Sequence, residues 1–127
     1  MIILDYFGYY IDYIIRDPFA QITGFFAMIT TMVAYFQKDD FSASLVEVVI
    51  ETGRTHQIRV HAKYADHPIA QDDKYGDQLF DKLMKEKGLN RLFLHAKSIT
   101  FTNPTTNEIQ KVVAPLPIEL EDFLNKL

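Results

Sequence analysis

No charged side chain lies between Pro18 and Gln37, a run of twenty residues. A stretch that long has to leave water, because exposed apolar area costs free energy in proportion to its size. Two outcomes are open. The run is long enough to cross a bilayer as a helix, or it can be laid into a protein core as a strand or helix. Gln21, Thr23, Gly24, Thr30, Thr31 and Gln37 dilute its hydropathy, and Pro18 stands at its start. A buried strand or helix is therefore the expectation, and a membrane tether the weaker alternative. Asp5 also stands where a secretory leader would carry basic residues.

The missing charge is concentrated further on. Residues 1–36 carry only Asp5, Asp12, Arg16 and Asp17, whereas 37–127 hold the other 12 basic and 14 acidic side chains. Two unlike parts are expected: a hydrophobic N-terminal segment, 1–36, and a mixed part, 37–127. At 127 residues and 48% hydrophobic content the chain suffices for one domain-sized core. Its net charge of −4 means that any nucleic-acid contact must come from a local basic patch and not from the global field. The absence of cysteine excludes disulfides, thiolate-held zinc, iron–sulfur clusters and thiol nucleophiles. It also fits a reducing compartment such as the cytoplasm.

Residues 2–15 are aromatic and β-branched, a strand or a buried helix that periodicity does not decide. MITTMVAYF (28–36) reads as a strand ending at the polar turn 37–40, and LVEVVI (45–50) as another. Thr52-Gly53 reads as a turn, and Thr55 as the cap of a helix from about His56 to Ala65. A second helix follows Asp77, with Leu79, Phe80, Leu83 and Met84 on one face and Gly88 as its stop. Residues 91–102 and 108–113 flank a hairpin turn, and Pro117 opens a helix striped with Leu120, Phe123, Leu124 and Leu127. The fold class expected is α+β, an antiparallel-rich mixed sheet with flanking helices.

Chemistry is concentrated in ETGRTHQIRVHAK, Glu51–Lys63. Arg54, His56, Arg59, His61 and Lys63 occur there with no acid between them. A helix N-terminus near Thr55 adds partial positive charge and free N–H groups, and Gln57 adds amide donors and an acceptor. This suits a nucleic-acid surface; a solvated basic helix is the alternative. His56 and His61 are five apart, wrong for a shared ligand face on one helix, and no HExxH pattern occurs, so no metal is expected. There is no nucleophile elbow, Walker loop or dinucleotide glycine pattern either.

Three blocks then narrow the reading. LVEVVIETGRTHQIRVHAKYADHPIAQDDKYG (Leu45–Gly76), RLFLHAKSITFTNPTTNE (Arg91–Glu108) and APLPIELEDFL (Ala114–Leu124) occur in that order. Together they resemble the C-terminal part of the catalytic domain of the RluA-type pseudouridine synthases. The resemblance implies a cofactor-free isomerisation of uridine in large-subunit ribosomal RNA. The base is flipped out, detached from its ribose, turned, and rejoined through carbon 5. It further implies that Arg59 ion-pairs with the family's catalytic aspartate and that Leu94 packs beneath the flipped base. Arg54, His56, Gln57, Lys74 and Tyr75 would line the RNA-facing cleft, and Thr55 at the helix start stands with Arg54 where a phosphate could dock.

The sequence departs from that family in two ways. It contains no HRLDxxTSG-like motif, which in the family carries the aspartate, and no recognisable motif for the catalytic tyrosine. The glycine usual before DDKYG is Gln71 here. The expectation is therefore part of a synthase, inactive as this chain alone, with Arg59 near a cleft and without its carboxylate. A non-catalytic RNA-binding remnant is the alternative. The hydrophobic first 36 residues are expected to patch the sheet or to pair with another copy.

Overall fold

Alternating apolar positions make residues 42–50 a strand, and the sheet is organised around it. The computed structural model describes residues 2–3, 9–15, 28–38, 40–50 and 55–127. The strands are β1 (Ile2–Ile3), β2 (Tyr9–Ile15), β3 (Met28–Gln37), β4 (Ser42–Ile50), β5 (Leu94–Thr102) and β6 (Ile109–Val113). The helices are α1 (Gln57–Tyr64), α2 (Gln78–Glu86) and α3 (Ile118–Lys126).

The six strands form one sheet in the order β1-β4-β2-β5-β6, with β3 also on β4. β3 runs antiparallel to β4 from Met28↔Ile50 to Gln37↔Ser42, with a register shift between Met32 and Ala34. β2 is antiparallel to β4 from Tyr9↔Ile50 to Ile15↔Ser44, and to β5 at Tyr13↔Leu94. β1 adds a short parallel pairing at Val48 and Val49. The hydrophobic N-terminal segment thus contributes strands to the same sheet as the later part of the chain. Of the uncharged run, 28–37 is strand and 18–27 lies outside the described residues. Among the described residues no helix is long and apolar enough to cross a membrane.

The hairpin falls where the turn chemistry put it. β5 pairs with β6 from Ser98↔Val113 to Thr102↔Ile109. Between them the Asn103 side chain accepts from the Thr105 amide at 2.9 Å, and Asn107 takes the left-handed conformation (φ 58°) that asparagine tolerates.

Side chains alternate across a strand, and β4 feeds two apolar clusters in this way. Val46, Val48 and Ile50 pack with Ile58 and Ala62 of α1 and with Ile69. Ala43 and the partly buried Leu45 join a second cluster with Ala70, Phe80 and Met84 of α2, Phe93, and Leu120 and Phe123 of α3. Leu92 and Leu94 lean on the first cluster while Phe93 between them fills the second. The chain crosses from one cluster to the other at consecutive residues, Ile69 and Ala70.

Two local expectations are corrected. Thr55 does not cap α1. The N-cap position is His56, in a left-handed conformation (φ 52°) with no side-chain cap bond, so the chain enters the helix one residue later and Thr55 is exposed outside it. Nor does Leu79 share the buried face of α2; it is 77% exposed, at the margin of a stripe that Phe80, Leu83 and Met84 fill. The ends of α2 agree with the sequence. Asp77 Oδ1 accepts from the Phe80 amide at 2.9 Å, and Gly88 stops the helix at φ 100°. Asp77→Ala is expected to cost about 1 kcal/mol, read as a lower urea midpoint with an unchanged slope.

Candidate functional site

Ile58 and Ala62 turn one face of α1 into the first cluster, which leaves Arg59 at its edge with a side chain 15% exposed. The loop that follows carries the partners of Arg59. After Ile69 and Ala70 are anchored, and the Ala70 carbonyl accepts from the Phe93 amide at 3.1 Å, Gln71 adopts φ 60°. A glycine would take that conformation without steric cost. Gln71 is held in it by α2: its amide donates to Asp81 Oδ1 at 2.7 Å, and its side-chain amide to the Asp81 carbonyl.

This turn places the Asp72 carboxylate, only 1% exposed, against the guanidinium. Arg59 Nε donates to Oδ2 at 2.8 Å and Nη2 to Oδ1 at 2.7 Å, the two-pronged pairing that suits a planar fork. Oδ1 also accepts from the amides of Lys74 (3.0 Å) and Tyr75 (2.9 Å), and the Gly76 amide donates to the Asp72 carbonyl at 2.9 Å. Burial pushes the Asp72 carboxyl up, but the Arg59 bonds and the two amides outweigh it and hold it below the ordinary carboxylate value. The bond to Asp72 raises Arg59 in turn, against the opposing effect of burial. Asp81, behind the loop, is raised, first by burial and then by the nearby carboxylates of Asp77 and Asp72.

The same turn brings Tyr75 over the helix start. Its ring lies 5.4 Å from Arg59 Cζ and 5.3 Å from Lys74 Nζ, within cation–π range. The His56 ring meets it edge-on at 5.8 Å, with Nδ1 and the Tyr75 hydroxyl 3.3 Å apart. His56, Arg59, Lys74 and Tyr75 are therefore one cluster. Leu94 is partly buried against the apolar cluster that includes Ile58. Thr55 is exposed at the helix entry and Gln57 half-buried in the first turn of α1. Arg54, with the expected Thr52-Gly53 turn, lies outside the described residues.

Arg59 has carboxylate partners within the chain that lie outside any HRLDxxTSG-like motif: besides Asp72 it has Asp73, whose Oδ1 accepts from Nη2 at 2.9 Å. Sequence reasoning passed over both acids because they lie 13 and 14 residues away, across a loop. The available signal was the doubled acid of DDKYG following a basic helix.

No family model matches the chain. Two solved structures share its fold. Human RNA Pseudouridylate Synthase Domain Containing 4 superposes with a TM-score of 0.62 at 21% identity, over 92% of this chain and 60% of its own. Human RNA Pseudouridylate Synthase Domain Containing 1 gives 0.58 at 23%, over 94% and 54%. The architecture is accordingly that of a pseudouridine synthase domain, the α+β class expected. Sequence likeness narrows this. Ribosomal large subunit pseudouridine synthase C of Haemophilus ducreyi is 57% identical over 86 residues, covering 68% of this chain and 27% of that protein. Its counterpart in Escherichia coli is 54% identical over 87 residues, 67% and 27%. Over about two thirds of its length the chain is homologous to these pseudouridine synthases, and it spans about a quarter of the length of these curated relatives.

Proposed function

We propose that this chain supplies the Arg59 side of the active site, and part of the RNA-facing surface, of an enzyme that isomerises uridine to pseudouridine in large-subunit ribosomal RNA. The observation that carries the reading is the clamp of Arg59 on buried Asp72, with the Tyr75 ring against the guanidinium and His56 and Lys74 against that same ring. A cation held in a fixed orientation beside an aromatic ring suits a nucleic-acid strand. Its charge meets phosphate, and a ring face offers stacking to a base. The relatives' names supply the substrate class. Arg54, Thr55 and Gln57 extend the proposed surface at the helix entry, and Leu94 supplies its apolar floor. No cofactor is invoked, and the proposed compartment is the cytoplasm.

In this reading the catalytic aspartate comes from an HRLDxxTSG-like segment that the present sequence does not contain. Asp72 and Asp73 occupy Nε and Nη2 of Arg59, and those bonds leave Nη1 over for that carboxylate or for phosphate. The test is a pseudouridine assay on large-subunit ribosomal RNA. The chain alone is expected to bind RNA and form no product; product from it would refute the reading of inactivity. In an enzyme that also carries the aspartate segment, Arg59→Ala is expected to lower turnover about 10²–10³-fold, the loss typical of one electrostatic contact to the reacting centre. RNA affinity should fall far less, and equal losses in both would contradict the ion-pair role.

A further inference from the structure

Arg59 offers two forks for anions. The side-on fork, Nε with one N–H of Nη2, is filled by buried Asp72. The end-on fork is formed by the second N–H of Nη2 together with Nη1, and a phosphate can take it with two oxygens. Asp73 sits at that Nη2, 2.9 Å away, on a side chain 93% exposed. The contact adds little to the fold, because water competes for both partners of an exposed pair. It also leaves the turn intact if broken, since the amides of Lys74 and Tyr75 are tied to Asp72. Its effect on charge is larger. Arg59 and Lys74 against Asp72 alone leave one net positive charge around Tyr75, and Asp73 cancels it.

We propose that Asp73 is an internal anion occupying the phosphate position on Arg59, and that an RNA phosphate displaces it. Asp73 thereby sets the affinity and the salt dependence of the site. This rests on the RNA reading of the cluster and deepens it. An incoming phosphate takes the end-on fork, Asp73 swings into water, and Asp72 keeps the guanidinium in place.

The test is fluorescence anisotropy of the full chain with a single-stranded, uridine-containing oligonucleotide of large-subunit ribosomal sequence, titrated over a range of salt. Asp73→Asn is expected to bind about fivefold tighter at low salt, the scale of one exposed ion pair removed from competition. The slope of log affinity against log salt should steepen by about 0.7, one additional phosphate on a single strand. Misfolding does not imitate a gain. In an Arg59→Ala background the gain should vanish, and Glu121→Gln on α3 should give none. A gain that persists without Arg59 would mean general repulsion and overturn the proposal, as would no gain where Arg59→Ala still weakens binding. Unchanged affinity in Arg59→Ala would remove the RNA reading of this site, and the proposal with it.

Discussion

Asp72→Asn should destabilise the domain by about 3–5 kcal/mol, the cost of leaving one member of a buried ion pair uncompensated. The geometry explains why an isosteric change is so costly. Oδ1 serves three donors: Arg59 Nη2, the Lys74 amide and the Tyr75 amide. Asparagine keeps that oxygen only by turning its NH₂ toward Arg59 Nε–H, donor against donor, where Oδ2 now accepts at 2.8 Å. The loss is a large share of the 5–15 kcal/mol that typical domains possess, and urea unfolding at neutral pH would measure it. The sign of the pH dependence follows from the lowered Asp72 carboxyl. Its stabilising contribution is complete above the unfolded carboxylate value near 3.9 and is lost as pH falls through the lower folded value. Asp81 is raised and acts the other way, since its folded form takes up a proton first on acidification. Unfolding curves in acid should therefore show a steep loss below about pH 4 in the parent, and a flattened one in Asp72→Asn. A parent whose stability does not change with acid would count against the buried pair.

Gly76→Ala should be nearly as damaging, at about 3 kcal/mol, the upper end of what overpacking costs. A Cβ at Gly76 would lie 2.3 Å from the Asp72 carbonyl oxygen and 2.5 Å from Asp81 Oδ2. Neither neighbour has an easy retreat. The Asp72 carbonyl accepts from the Gly76 amide itself, and the other oxygen of Asp81 is bonded to the Gln71 amide. Relief has to come from moving the loop, which pulls Asp72 off Arg59. Combined with Asp72→Asn, the two losses should therefore add to less than their sum, because both break the same contact. A double-mutant cycle by urea denaturation checks this, and full additivity would show that loop and ion pair are independent.

The elements that were legible in the sequence are those whose signal is local. Asp77 and Gly88 bracket α2, Asn103 and Asn107 shape the hairpin turn, and Val46, Val48 and Ile50 alternate along β4. Residues 2–15 could not be decided because their aromatic and β-branched side chains follow no clear period; pairing with β4 and β5 makes 9–15 a strand. The start of α1 misled because Thr55 has the right chemistry for a cap, and histidine, though enriched among left-handed residues, adopts that conformation too rarely to signal it. Of the site, Arg59 and its neighbours stood out as a basic run, and the family blocks brought in Lys74, Tyr75 and Leu94. The Asp72 pair did not stand out, because two residues 13 apart meet only once both clusters have formed.

Ile69 and Ala70 are neighbours in the chain yet belong to different clusters, at 1% and 0% exposure. A loop held at one point can open on its own, but one fastened to both halves of the interior cannot come away until both give. Its backbone amides, those of Asp72, Tyr75 and Gly76 above all, should exchange with solvent hydrogen only on near-global unfolding. RNA would then meet a site already in its binding shape, with little ordering cost to set against affinity.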